Sequence, residues 1–428
     1  MILCSNVIEN MDTQTHKNAL LIGLEFVSPI FSGNGIMTQS LVRGLLESGY
    51  HVTVLCARPD SWKEENEVHV DSSTKETCLE SHPKLHTLIV PVPNHTWKRL
   101  DKHSCWQHLA EGAPKVMKNI SHKAPWDYVF CIDWSSIETI HALQECKHVS
   151  TSVPLVFLVF RIFSRSHQLL KSVEDQHFYI EKEVDAVNRS DITIVLSHVD
   201  KFSLQRIHSE RLDSIQKQKA FHILPPPLRF DFREQCQNSA HTTSERKYIT
   251  CNVRLSPEKN ALLFAKVMKL VAEKEILRKL RLIPLMIGAV CDLSYAEEVK
   301  KYLPTETVVV EKFLSSSELI TYLSQTLLMI HPPTYDAYGM TIAEAAATGT
   351  PTIIHEESIG ACSLFKADKG EIILGDFSSV DNALDSIEKV LLLSSPNYLG
   401  QVGETARQKA LSWTVSEYAR ALQGTLEI

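Results

Sequence analysis

Two series of strand-length apolar runs, each alternating with helix-length amphipathic segments, constrain this chain more than any other feature. The first series is ALLIGLEFV (19–27), HVTVLCA (51–57), LHTLIVPVP (85–93), DYVFCID (127–133), VPLVFLVF (153–160) and DITIVLS (191–197). The second is KYITCNVRL (247–255), RLIPLMIGA (281–289), TVVVEKFL (307–314), TLLMIHPP (326–333), TPTIIHEE (350–357) and GEIILGD (370–376). Hydrophobicity that is continuous rather than alternating implies strands buried on both faces, as in a parallel sheet covered by helices. The expected fold class is therefore α/β, with two Rossmann-like doubly wound parallel-sheet domains. The length of 428 residues agrees, since a single hydrophobic core stops growing near roughly 250–300 residues.

Between the two series lies PPPLRFDFREQCQNSAHTTSERK (225–247), which opens on three prolines and ends in a polar run without clear period. It reads as the interdomain connection. The expected division is a first domain over 1–228, a linker over 229–247, a second domain over 248–395 and C-terminal helices over 396–428. The polar stretch 63–83 reads as a surface excursion. A net charge of -7 removes the electrostatic reason to expect nucleic-acid binding. The N-terminus lacks a basic segment followed by a long apolar one, no run approaches membrane-spanning length, and the ten cysteines include no C-x-x-C pair. These features predict a cytoplasmic protein with reduced thiols.

Three segments carry the chemistry. In SPIFSGNGIMTQSLVRGLLESGYHV, Gly33 and Gly35 precede an apolar-periodic helix ending near Gly49, a place where backbone N–H groups can approach a phosphate. In NVRLSPEKN, Arg254 and Lys259 flank a short Ser-Pro loop at the end of the second domain's first strand, where open α/β sheets bind ligands. A guanidinium and an ammonium there suit a diphosphate whose charge grows as it leaves. In HPPTYDAYGMTIAEAAATGTPTII, Asp336 and Glu344 are separated by seven residues with Gly339 between them. A helix starting near Met340 carries Glu344 one turn in and leaves Asp336 in the loop. Two acids beside cations and a helix N-terminus are suited to sugar and ribose hydroxyls, a combination that describes a nucleotide sugar.

On these residues the chain resembles the family 4 retaining glycosyltransferases, glycosyl transferases of group 1, as a divergent member. The resemblance runs through the Gly-loop, DYVFCIDW (127–134), NRSDITIVLS (188–197), FHILPPPLR (221–229), VRLSPEKN (253–260), LIPLMIGA (282–289), YDAYGMTIAEAAATGTPTI (335–353) and LSW (411–413). It implies the GT-B architecture, two Rossmann-like domains facing across a cleft, with the C-terminal helices crossing back to the first domain. It implies donor-phosphate contacts from Gly33, Gly35, Gly339, Met340 and Thr341, and diphosphate neutralisation by Arg254 and Lys259. Donor-sugar contact falls to Asp336 and ribose contact to Glu344. Asp336 stands where the family usually has Glu, and Phe160 followed by Arg161 stands where it commonly has a donor-contacting His. Arg161 is either a replacement cation near the leaving phosphate or a structural residue facing the site.

The expected activity is retaining transfer of a hexosyl unit from a UDP- or GDP-sugar to an unidentified acceptor, by a front-face mechanism without a covalent nucleophile. The competing reading is a non-catalytic nucleotide-sugar-binding or regulatory subunit. The chain contains no Asp-x-Asp and no convincing histidine pattern, so no metal or other cofactor is expected. The expected partners are the nucleotide sugar and the acceptor, with no nucleic acid, no transmembrane segment and peripheral membrane contact only for a lipid acceptor. VPVPNHTWKRLDKHSCWQHL (90–109) fits either an acceptor groove or a surface helix with Trp106 packed inward.

Overall fold

The computed structural model describes residues 17–27, 30, 32–61, 79, 82–97, 104–118, 125–165, 172–208, 221–238, 246–356, 358–393 and 396–427. Most of the polar excursion 63–83 lies outside them, as do residues 239–245 of the connection. The first sheet contains β1 (Asn18–Ile22), β2 (His51–Pro59), β3 (Leu85–Val92), β4 (Tyr128–Ile132), β5 (Leu155–Val159), β6 (Ile192–Val195) and β7 (Phe221–Ile223). The second contains β8 (Tyr248–Asn252), β9 (Ile283–Ile287), β10 (Val308–Val310), β11 (Thr326–His331), β12 (Thr352–His355) and β13 (Ile373–Gly375). All twelve sequence-predicted strands form, joined by a three-residue edge strand, β7, too short to register as an apolar run.

The strand orders are β3-β2-β1-β4-β5-β6-β7 and β10-β9-β8-β11-β12-β13, and every pairing between these strands is parallel. Order reverses between β1 and β4 in one sheet and between β8 and β11 in the other, and at such reversals the connections part to leave a crevice beyond the strand ends. The inner strands are buried along most of their length, β5 at all five residues, which is why they read as unbroken apolar runs. Edge strand β3 alternates instead and tolerates Pro91, whose missing N–H would be costly in a central strand. Trp106 packs inward against Trp134, with ring centroids 5.4 Å apart. Cys105, Trp106 and Leu109 thus form core on that side, while Pro91, Asn94 and His95 are exposed and 98–103 lie outside the described set.

Part of the segment 229–247, read from the sequence as the linker, is regular. Phe230–Asn238 is a helix with Phe232 and Cys236, four residues apart, on its buried face. Those two side chains give it an apolar stripe, and Phe232 joins Leu224 and Leu228 in a cluster that reaches Ala343 and Ala346 of the second domain. The helix is tied to the helix Pro396–Ser412, where Arg407 Nη2 donates to the Cys236 carbonyl at 3.3 Å and Arg233 Nε to the Leu411 carbonyl at 3.4 Å.

The last helix, Val415–Leu426, lies on the first domain. Ser416 Oγ donates to Glu47 at 2.8 Å, and Tyr128 OH donates to the Leu426 carbonyl at 3.1 Å. Trp413 Nε1 donates to the Pro225 carbonyl at 3.0 Å, so the two crossings between domains brace each other.

Helix Pro396–Ser412 packs closely on the end of the helix Met340–Ala347. A Cβ on Gly403 would stand 2.1 Å from the Gly349 carbonyl oxygen, whereas one on Gly400 in the same helix meets nothing within 4 Å. Gly403→Ala is expected to destabilise by roughly 1–3 kcal/mol through overpacking, while Gly400→Ala stabilises by up to about 1 kcal/mol through helix propensity. Urea unfolding of both variants checks this; equal midpoints would contradict the close approach.

Candidate active site

Segments beyond β1 and β5 in the first sheet, and the ends of β8, β9 and β11 in the second, border one cavity of about 1530 Å³. On the second-domain side β8 leads through Arg254 into a single 3₁₀ turn, Pro257–Lys259, and β11 ends at His331. The loop after β11 is braced at its back, where Asp336 pairs with Ile359 in an isolated bridge and the Gly360 N–H donates to the Asp336 carbonyl at 2.9 Å.

Asp336 Oδ2 receives Lys259 Nζ at 2.7 Å and stands 3.3 Å from His331 Nε2. Burial would raise this carboxyl, but Lys259 and His331 hold it well below the usual carboxylate range. Burial pushes His331 the other way, below its ordinary value, against the pull of Asp336. Arg254 is half-exposed and lies 3.6 Å from Glu258. The two cations read from the sequence thus line the same cavity but turn toward different carboxylates.

Gly339 takes φ +87° as it turns the chain into the helix Met340–Ala347, a conformation in which a Cβ is strained. The N–H groups of Met340 and Thr341 open that helix and have no carbonyl within it to meet. Glu344 lies one turn further in, its side chain only 8% exposed, 3.2 Å from Arg229 Nε. Burial raises its pKa, opposed by Arg229.

On the first-domain side the helix Gly33–Glu47 begins at Gly33 itself, so the two glycines occupy its first turn and do not precede it. Ser32 caps it by accepting from the Asn34 N–H at 3.1 Å, and Glu25 accepts the Ser32 N–H at 3.0 Å. A Cβ on Gly35 would lie 2.7 Å from Ile30 Cγ2, whereas one on Gly33 would meet nothing within 4 Å. Gly35 therefore serves packing beneath the loop, and Gly33 leaves room on the cavity side.

Asp133, following β4, was not singled out by sequence. Its Oδ2 accepts from Asn34 Nδ2 at 2.7 Å, and its Oδ1 accepts from the N–H groups of Phe160 and Arg161 at 2.8 and 3.2 Å. It adopts φ +52°, an unfavourable value for a residue with a side chain. Burial pushes its pKa up to about 7 against those backbone donors. The Gly-loop helix and the Phe160–Arg161 corner are thereby joined through one carboxylate. The Arg161 guanidinium lies 5.4 Å from the Phe163 ring centroid and borders the cavity.

The two sides touch beside Asp336. Tyr335 OH donates to Asp200 Oδ1 at 2.8 Å, and the Arg165 guanidinium lies over the Tyr335 ring at 4.1 Å. Asp200 Oδ2 also accepts from Ser197 Oγ at 2.9 Å. Asp133 and His331 share a signal that sequence reading could have used, a polar residue at the carboxyl end of a central strand. Asp200 and Arg229 carry no such local signal.

Several buried polar atoms bordering the cavity have no hydrogen-bond partner: Asn252 Nδ2, His331 Nδ1, Tyr338 OH and Thr341 Oγ1. Buried polar groups are nearly always satisfied, so this wall is suited to a polar ligand. Among the described residues no group of three or more His, Cys, Asp or Glu side chains is arranged to hold a metal ion. No described helix is long and apolar enough to cross a membrane.

Residues 232–409, a span that takes in most of the second domain, match the family model for glycosyl transferases group 1. A relative described as an uncharacterized glycosyltransferase, YqgM of Bacillus subtilis (strain 168), is 21% identical over 273 residues, 64% of this chain and 70% of its own. Among solved structures, sucrose-phosphate synthase from Thermosynechococcus elongatus superposes with a TM-score of 0.71 at 15% identity, covering 96% of this chain and 98% of its own. Anabaena HepE in complex with UDP-glucose gives 0.63 at 12% identity, covering 96% and 100%. The architecture is GT-B, and the chain resembles group 1 glycosyl transferases as a divergent member.

Burial pushes Asp200 up to about 7, against its hydrogen bonds from Tyr335 and Ser197. A carboxyl whose folded pKa is raised binds its proton more tightly in the folded chain. It therefore takes stability away as pH rises from about 4 toward that value. Asp200→Asn should flatten the fall in unfolding temperature between about pH 4 and 7, with Asp133 and Glu344, both also raised by burial, contributing to the slope that remains. An unchanged slope, measured by scanning calorimetry, would mean that Asp200 is ionised throughout.

Proposed function

We propose that the chain is a retaining glycosyltransferase that moves a hexosyl unit from a UDP- or GDP-sugar to an acceptor hydroxyl. The observation that carries this reading is the meeting of Arg254, Lys259, Asp336, Glu344 and the open N-terminus of the Met340–Ala347 helix on one cavity between two doubly wound domains. The bond between the anomeric carbon and the diphosphate oxygen breaks, and its electron pair stays with the diphosphate. Arg254, Lys259 and the amides of Met340 and Thr341 stabilise the growing charge. The acceptor oxygen attacks from the same face and gives its proton to the departing diphosphate. Asp336 Oδ2 is committed to Lys259, leaving Oδ1 for hydroxyls of the donor sugar. Glu344 accepts from the ribose, and closure of the halves excludes water from the reacting carbon.

UDP-glucose in the HepE structure supports a nucleotide-sugar donor by analogy of fold. A second reading, a regulatory subunit that binds the nucleotide sugar without turnover, draws on Phe160 at the position of the expected His and on the commitment of Asp336 to an ion pair. Release of free nucleoside diphosphate across an acceptor panel separates the two.

Donor binding is expected to survive a chelator, because the diphosphate charge falls to Arg254, Lys259 and backbone amides; loss of wild-type binding on chelation would overturn that assignment. Arg254→Ala should weaken nucleoside diphosphate binding by roughly 1.5–3 kcal/mol. Asp336→Ala should lower turnover by roughly 10- to 150-fold while sparing or tightening nucleoside diphosphate binding, since it releases the Lys259 ammonium. Calorimetry and initial rates on the same preparations check both variants. Weaker diphosphate binding in Asp336→Ala would show that Asp336 serves chiefly to hold Lys259 in position.

A further inference from the structure

Glu344 is enclosed in the second domain, yet its charge is balanced from the chain between the domains. Arg229 is the last residue before the helix Phe230–Asn238, and its Nε lies 3.2 Å from Glu344 Oε1. The guanidinium is itself held in place. Its Nη2 donates to Ser316 Oγ at 2.9 Å, its plane lies 5.5 Å from the Phe232 ring centroid, and Asp231 Oδ1 is 3.9 Å from its Nε. Ser316 Oγ in turn donates to the other oxygen of Asp231.

We propose that Arg229 is a positioning residue for the donor site, holding Glu344 ionised and oriented so that both its oxygens can accept from the nucleotide's ribose. This rests on the reading of Glu344 as the ribose acceptor. A carboxylate removed from water and left without a cation takes up a proton, and a protonated acid accepts more weakly than a carboxylate. Glu344 makes no hydrogen bond within the described protein, so Arg229 is the group that offsets its burial. The other ionisable groups facing it come from the same helix: Asp231, which opposes Arg229, and Cys236, whose thiol burial pushes up to about 12. Arg407 stands beyond Cys236, donating to its carbonyl. Ser316, at the start of the helix Ser316–Ser324, is uncharged.

The placement has a second consequence. Arg229 is separated by Leu228 alone from the proline run 225–227, whose first member Trp413 braces, so a shift of the interdomain connection moves the counter-charge of a donor-binding acid. The ion pair thus links the hinge to the wall of the cavity that both residues line.

The test is the affinity for UDP and for GDP, by calorimetry across about pH 5 to 9, in the wild type and in Glu344→Gln, Arg229→Gln and Arg229→Lys. The phosphate titration of the nucleotide itself is read from Glu344→Gln and subtracted. Wild-type affinity should fall as pH drops through the titration of Glu344. In Arg229→Gln that inflection should move to higher pH, and affinity near neutrality should weaken roughly 5- to 150-fold. Arg229→Lys should lie between them, because an ammonium lacks the fork that reaches Ser316 and Glu344 together. A wild-type inflection in every folded Arg229 variant, with or without weaker binding, overturns the inference. Wild-type affinity in Glu344→Gln would instead overturn the ribose assignment.

Discussion

The buried ion pair between Lys259 and Asp336 is the constraint around which the rest of the site is arranged. It joins the loop after β8 to the loop after β11 across the strand-order reversal, with His331 beneath. A carboxylate at that depth costs several kcal/mol to desolvate and is tolerated only when cations face it. Removing either partner of such a pair typically costs about 3–5 kcal/mol because the other charge is stranded. Lys259 and Asp336 therefore form one unit with two tasks, one end toward the diphosphate and the other toward the sugar in the proposed reaction.

The same loop also joins the halves of the molecule. Tyr335, immediately before Asp336, reaches Asp200 in the first domain, and Arg165 covers its ring. On the far side of the cleft the proline run is tied to Trp413, and the helix Phe230–Asn238 fills the seam with Phe232. Separation of the domains breaks the Tyr335 contact at the residue next to the buried pair. The buried pair and the contact between the domains are thus joined through adjacent backbone positions, a local link that needs no long relay.

How much of this was legible in the sequence depends on how far each interaction reaches along the chain. The twelve main strands were legible because burial on both faces leaves an unbroken apolar run. Strand β7 was not, having three residues before a proline run. The helix Phe230–Asn238 had a signal in Phe232 and Cys236, one turn apart, but the polar residues around them masked it. Asp336 and Glu344 were found together because one helix start sets their spacing. Asp200 was missed because its partner Tyr335 is 135 positions away, and no local period can register such a pair.

The sequence by itself determined the two parallel sheets, the β8 and β11 strand ends and the residue types that line them, because these follow from hydrophobic period, helix starts and the placement of glycine and charge. Only the tertiary structure decided which cation meets which acid. Lys259 was read as a companion of Arg254 and is instead paired with Asp336, while Arg229, read as linker, answers Glu344. The reason is physical: a buried charge takes the nearest counter-charge that packing allows. That distance is set by how the strand ends and the interdomain connection come together in space, not by spacing along the chain.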